Sequence, residues 1–183
     1  TITPQNLPTE EWINYQINEV GKPIKAQHWM VEIIDLICDF DRHMVFVGGA
    51  AQVGKTLSYL LSIKRACELH QNLRVLLVYP TRGQRDTYPN RQLIPVLGEG
   101  VKKSGQDLNF NSSDIILRYA NISKETTQSS GKSVAKASLT SFTADIAFLE
   151  EASQITTEIS VIDRLNQSVF PAQPMRAIGT FGS

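Results

Sequence analysis

Apolar positions along the chain follow two rhythms. In the segment 27–40, Met30, Ile33, Ile34 and Ile37 recur at helical spacing, and in 55–70 Leu57, Leu60, Leu61 and Ile63 do the same. Other runs are apolar throughout: Met44-Val45-Phe46-Val47 within 43–48, RVLLVY from Arg74 to Tyr79, and ADIAFL from Ala144 to Leu149. Short apolar runs bounded by polar residues predict strands covered on both faces, as in a parallel sheet. A last strand begins over Met175 to Ile178, ahead of Gly179-Thr180-Phe181-Gly182-Ser183. A helix over 156–169 precedes it. Alternating strands and helices predict an α/β domain with a mainly parallel sheet and helices on both faces.

The remaining segments are punctuated by polar and breaker residues. Thr9 can cap a helix running from Glu10 to Val20, with Glu11 and Trp12 in its opening turn, and Gly21-Lys22-Pro23 stops it. Residues 83–97 read as helical, but Pro89 and Pro95 predict a break or kink. Asp107–Phe110 and Asp114–Tyr119 flank Asn111-Ser112-Ser113, which predicts a small hairpin. Residues 121–138 are rich in Ser, Thr, Lys and Gly and read as a long exposed loop. Its Lys124, Lys132 and Lys136 would either contact phosphates or be solvated. There is no internal repeat.

Composition changes this picture little. The chain has 183 residues, 42% hydrophobic and 20% charged, as an ordinary globular domain does. It carries 18 basic and 18 acidic residues, so net charge gives no support for nucleic-acid binding, though a local basic patch is compatible with it. No apolar run reaches the ~18 residues that span a bilayer, and no secretory leader is present, so no membrane is expected. The chain opens on Thr1 rather than Met, as a trimmed piece would. Cys38 and Cys67 fall in helical patterns with apolar neighbours and read as packed thiols of a reducing interior. His28, His43 and His70 share no ligand-like spacing with them, which argues against a structural metal site.

The chemistry is concentrated after the first apolar run. Residues 49–56, Gly49-Ala50-Ala51-Gln52-Val53-Gly54-Lys55-Thr56, match the phosphate-loop pattern G-x-x-x-x-G-K-[ST] in full. A strand aims the chain, the glycines let the backbone wrap an anion, and the next helix offers its free N–H groups. Lys55 would reach the β- and γ-phosphates, and the Thr56 hydroxyl would ligate Mg²⁺. Hydrolysis also needs a carboxylate on the metal and a group that activates water. Ile146-Ala147-Phe148-Leu149-Glu150-Glu151 ends a buried strand in two acids. Glu150 is assigned to the metal shell and Glu151 to water activation; the alternative is a solvated acidic helix start.

Weaker signals lie nearby. Gln27 precedes the first strand, where a glutamine amide could read an adenine edge or simply sit on the surface. Thr180 ends the last strand, where its hydroxyl could touch a γ-phosphate or belong to a plain turn. Arg82, Arg85 and Arg91 are candidates for a rate-enhancing arginine or ordinary surface residues.

The run Gly48-Gly49-Ala50-Ala51-Gln52-Val53-Gly54-Lys55-Thr56 resembles the phosphate loop of the large terminase subunits of tailed phages, the lambda-like group in particular. Tyr79-Pro80-Thr81 resembles that family's second motif. Ala137-Ser138-Leu139-Thr140-Ser141 followed by Phe148-Leu149-Glu150-Glu151-Ala152 resembles its serine-rich stretch and acidic motif, and Gly179-Thr180 its coupling motif. The resemblance runs from Gln27 to Ser183. It implies a P-loop NTPase fold of the RecA/ASCE-like kind over 27–183, with 1–26 as a helical appendage and the family's nuclease domain absent from this chain. It further implies ATP and Mg²⁺ as cofactors, Glu151 and Lys55 as catalytic residues, and a packaging motor acting on double-stranded DNA. Portal protein and small terminase subunit would be its partners, in a homo-oligomeric ring in the cytoplasm of an infected bacterium. Two positions depart from the family. The acidic pair is Glu-Glu where Asp-Glu is usual, and Ala51 stands where some members carry an arginine, so a neighbouring subunit would supply that group. A helicase-like DNA-dependent ATPase and a nucleotide-binding module without turnover are the alternative readings.

Overall fold

The computed structural model describes residues 7–39, 44–48, 54–120, 144–151 and 177–181. The hydrophobic clusters of the sequence become one core beneath a seven-stranded sheet. The elements in chain order are α1 (Thr9–Asn14), α2 (His28–Cys38), β1 (Met44–Gly48), α3 (Lys55–Leu69), β2 (Arg74–Tyr79) and α4 (Arg82–Tyr88). A π-helical stretch (Pro89–Leu93) leads into α5 (Ile94–Leu97), followed by β3 (Lys102–Ser104), β4 (Asp107–Phe110), β5 (Ser113–Tyr119), β6 (Ile146–Leu149) and β7 (Ala177–Phe181). The strand order is β1-β7-β6-β2-β5-β4-β3. The first five strands in that order are mutually parallel, and β4 and β3 run antiparallel at one end.

The buried strands are those the apolar runs predict. Val75 to Tyr79 of β2 and all four residues of β6 are buried. Such runs are compatible only with a sheet covered on both sides. The connections from β1 to β2 through α3, and from β2 to β5 through α4 and α5, step the same way across the sheet. Right-handed crossovers therefore put these helices on one face. The connections that would carry the second helical layer, with the expected loop 121–138 and helix 156–169, lie outside the described residues.

Three expectations change. The first helix ends at Asn14, six residues short of Val20, and its N-cap is Pro8; Thr9 is its first residue and caps nothing. Thr9 instead donates its hydroxyl to Asp35 Oδ1 on α2. The helix stops because Asn18 Oδ1 accepts the Val20 and Lys22 amides at 3.1 and 2.9 Å, a local bond that competes with the helical ladder. An Ile17–Pro23 bridge then reverses the chain. Next, β5 is more than the second strand of a hairpin. It pairs antiparallel with β4 across Asn111 and Ser112, both with positive φ, and parallel with β2 on its other side. Finally, β3 extends the sheet by a short, exposed, lysine-bearing edge strand. Charged side chains on such an edge discourage pairing with another chain.

The broken helix of 83–97 is continuous in path but changes its hydrogen-bond spacing at Pro89. Proline lacks the amide that an α-helix needs there, and the turn widens into a π stretch. The helix starts earlier than the sequence reading, capped by Thr81. Its Oγ1 accepts the Gln84 amide at 3.3 Å while Gln84 Oε1 accepts the Thr81 amide at 3.2 Å. This reciprocal capping box is visible in the sequence as Thr81-Arg82-Gly83-Gln84.

The N-terminal segment is tied into the same core. Trp12 is 2% exposed, donates Nε1–H to Glu68 Oε2 at 2.7 Å, and lies under the Arg65 guanidinium, 5.1 Å from the ring centroid. Arg65 in turn donates to the Leu7 carbonyl at 2.7 Å. Trp12→Ala is expected to lower unfolding free energy by about 3–5 kcal/mol, read in urea unfolding. A loss below about 1 kcal/mol would mean that α1 docks without this anchor.

Cys38 and Cys67 are free thiols, as expected, and burial pushes the Cys67 thiol up to about 12. No helix among the described residues is long and apolar enough to cross a membrane.

Candidate nucleotide site

The sheet brings together motifs that lie far apart in sequence. In the parallel register, Val47 and Gly48 of β1 stand beside Thr180 and Phe181 of β7, and Gly179 beside Leu149 of β6. Leu149 pairs with Val78 of β2, and the Glu150 amide continues that ladder to the Val78 carbonyl at 3.0 Å. The carboxyl ends of β1, β7, β6 and β2 therefore form one rim. Open α/β sheets bind ligands outside this rim. The end of β1, Thr180 and the two glutamates all fall on it.

Gly49 to Val53 lie outside the described residues, whereas the loop's exit does not. Gly54 has φ +85°, a left-handed conformation that side chains resist, and it caps the fifteen-residue helix α3. Lys55 and Thr56 form its first turn and are half-buried. The N–H groups of this turn and the helix dipole face the rim, as an anion would require. A Cβ on Gly54 would also come within 3.1 Å of Trp29 Cη2. Trp29, in the first turn of α2, thus packs on the loop's last glycine. Gln27, the exposed N-cap of α2, is two residues from that contact and makes no side-chain cap.

The two glutamates occupy different environments. Glu150 is 4% exposed and accepts the Tyr59 hydroxyl on Oε2 at 3.0 Å. Glu151 is half-buried, and its φ of +47° turns the chain sharply off the strand end. A left-handed glutamate costs about 1–2 kcal/mol, and such strain gathers at functional sites. The two carboxylates differ in burial, Glu150 buried against the Tyr59 hydroxyl and Glu151 half-buried.

Burial dominates the charge state of Glu150. Desolvation pushes its carboxyl from 4.5 up to about 7, the Tyr59 hydrogen bond opposes this, and Glu151 adds to it. The folded chain thus holds this proton more tightly than the unfolded chain. The stabilisation is complete below the unfolded value and is lost as pH rises through about 7. Without nucleotide or divalent metal, Glu150→Gln is therefore expected to be more stable than its parent at pH 8, by on the order of 2–3 kcal/mol. The margin shrinks toward zero at pH 5. Thermal melts at the two pH values check this, and equal margins would contradict it.

Sequence reasoning missed Tyr59, Tyr79 and Trp29. Both tyrosines are at most 2% exposed, and the Tyr59 hydroxyl is hydrogen-bonded to Glu150, so a polar pair Tyr59–Glu150 is buried in the core. The available signal was Tyr59 itself, four residues after Lys55 in an otherwise apolar face, because a buried tyrosine hydroxyl needs a partner. Of the arginine candidates, Arg85 is committed elsewhere. It is 6% exposed, stacks 5.4 Å from the Tyr119 ring centroid and donates to Gln106 Oε1. Arg82 and Arg91 are exposed. No cluster of three or more metal-ligating side chains occurs among the described residues.

No protein-family model and no curated protein matches the sequence. Solved structures do match. The large terminase of bacteriophage HK97 superimposes with TM-score 0.59 at 19% identity, over 94% of this chain and 37% of that one. The large terminase from a thermophilic bacteriophage, in complex with ADP, gives TM-score 0.58 at 12% identity, over 85% of this chain and 39% of that one. The same thermophilic phage protein in complex with ATP-gamma-S gives 0.51 at 11%, over 80% and 37%. The chain thus spans under two fifths of the length of the terminases it matches. Its α/β fold, in which β7 lies between β1 and β6, is similar to that of these phage large terminases.

Proposed function

We propose that the chain is the ATP-hydrolysing motor domain of a packaging terminase, coupling ATP hydrolysis to movement of double-stranded DNA into a procapsid. The observation that carries this is the convergence on one rim of the Gly54-Lys55-Thr56 helix start, Thr180 and the Glu150-Glu151 turn. Structural neighbours described with ADP and with ATP-gamma-S support the nucleotide reading.

In this reading residues 49–56 cradle the phosphates and Lys55 neutralises them. Thr56 and Glu150 offer hard oxygen ligands of the kind Mg²⁺ takes, and they would hold it. When bound, the ion would neutralise phosphate charge. Glu151, outside the buried network around Glu150, orients the attacking water and accepts its proton. Gln27 would contact the adenine edge, beside the Trp29–Gly54 packing. Thr180 would report the γ-phosphate to the sheet. The rate-enhancing arginine comes from a neighbouring subunit or from Arg82 or Arg91. Ring assembly, portal and small-subunit partners, the lambda-like grouping, the division at residue 27 and action in the host cytoplasm belong to the same proposal.

The experiment that tests the motor reading is the response of ATP turnover to linear double-stranded DNA. A packaging motor is expected to turn over faster with DNA, with a steep decline in that stimulation as salt rises. DNA-independent turnover would instead favour an ATPase of another class.

A further inference from the structure

The hydrogen bond between Tyr59 and Glu150 joins two parts of the proposed nucleotide site, the helix after the phosphate loop and the acidic strand end. Tyr59 lies on α3, four residues after Lys55 and three after Thr56, so it shares a helical face with them. Its ring is 2% exposed and tilts against Phe148 of β6 at 6.1 Å between centroids. From that packed position the hydroxyl donates to Glu150 Oε2 at 3.0 Å. The ring cannot swing away without opening the core between α3 and β6. Oε1 of Glu150 accepts no hydrogen bond from a described residue.

The length of the side chain matters here. An aspartate at 150 would end about 1.5 Å short of the glutamate carboxylate. Its oxygens would then fall beyond hydrogen-bond reach of a hydroxyl held in place by the core. Tyr59 and Glu150 are a matched pair, each fitted to the other's reach.

We infer that Tyr59 is a positioning residue for the metal-holding acid: its hydroxyl fixes one oxygen of Glu150 and leaves the other to serve the ion. This rests on the nucleotide reading proposed above. Partners that orient a metal's ligands typically change metal affinity by 10–100-fold when removed.

The test is calorimetric titration of the chain with ADP, first in EDTA and then at rising Mg²⁺. Tyr59→Phe removes one oxygen and keeps the ring. It is expected to keep ADP affinity in EDTA within about twofold, while the Mg²⁺ concentration that half-saturates the tightening of ADP rises on the order of tenfold. Glu150→Asp is expected to raise it similarly. Adding Tyr59→Phe to Glu150→Asp should then change nothing further, because the pair is already broken. An unchanged Mg²⁺ requirement in Tyr59→Phe, or losses that simply add in the double variant, would overturn the inference. Should Tyr59→Phe not fold, Glu150→Asp alone decides, and a parental Mg²⁺ requirement there overturns it. A parent chain that binds ADP without any response to Mg²⁺ would remove the nucleotide reading itself, whereas a responsive parent with an equally responsive Tyr59→Phe removes only the role of Tyr59.

Discussion

Lys55→Ala is expected to weaken ATP binding by about thirtyfold or more. The lysine stands at the first position of α3, directly after the left-handed Gly54 and half-buried. There it supplies the one full positive charge that the matched loop pattern aims at the β- and γ-phosphates. Truncating one partner of a charge-assisted pair in a desolvated site costs roughly 2–5 kcal/mol. That range corresponds to about thirtyfold to several-thousandfold in Kd. The fold should survive, because Lys55 lies outside the buried core of α3, which begins at Ser58. Calorimetry with ATP-gamma-S reads the affinity and a melting curve reads the fold. Unchanged affinity in a folded variant would remove the phosphate-loop assignment.

Glu151→Gln is expected to separate binding from turnover. The side chain leaves the strand on a left-handed turn, half-buried, beside a neighbour already held by Tyr59. The proposed function gives it a part in the chemistry, and it lies outside the buried core. A glutamine keeps the shape and loses the proton acceptor. General-base removal typically lowers turnover by about 10²–10⁴-fold. ATP affinity should stay within a few-fold of the parent. Glu150→Gln should behave differently, gaining stability at high pH while losing its response to Mg²⁺. If Glu151→Gln hydrolyses ATP at the parental rate, Glu151 is not the base, and the roles of the two acids must be redrawn.

The sequence was most informative where one physical requirement acted alone. Residues 74–79 and 146–149 had to be strands, because runs apolar on both faces fit only the middle of a sheet. The strand and helix that flank residues 49–53 were legible because an apolar run and a helical pattern stand on either side of the glycine motif. It was least informative where two requirements competed. Glu10 to Val20, between Thr9 and the Gly21-Lys22-Pro23 stop, reads as one helix, yet the Asn18 side chain captures two amides and α1 ends early. The hairpin reading of 107–119 was right about β4 and β5, but periodicity cannot reveal that β5 has a second, parallel neighbour. Lys102–Ser104 carries no apolar signal, because an edge strand is defined by its partner rather than by burial.

The same division holds at the site. The adjacency of Glu150 and Glu151 was plain, but the left-handed turn at Glu151 and the difference in burial between the two acids were not. The partner that holds Glu150 comes from a residue ninety-one positions earlier. Trp29 meets Gly54 only once α2 has packed on α3. Long-range pairs of this kind leave no local pattern.

The most direct measurement is steady-state ATP hydrolysis by this chain in Mg²⁺, followed across a range of protein concentration. A site completed by a neighbour's arginine should give turnover that rises more steeply than linearly with protein, and Glu151→Gln should abolish it. Tight ATP binding with no turnover at any concentration would contradict the account and leave a nucleotide-binding module in its place.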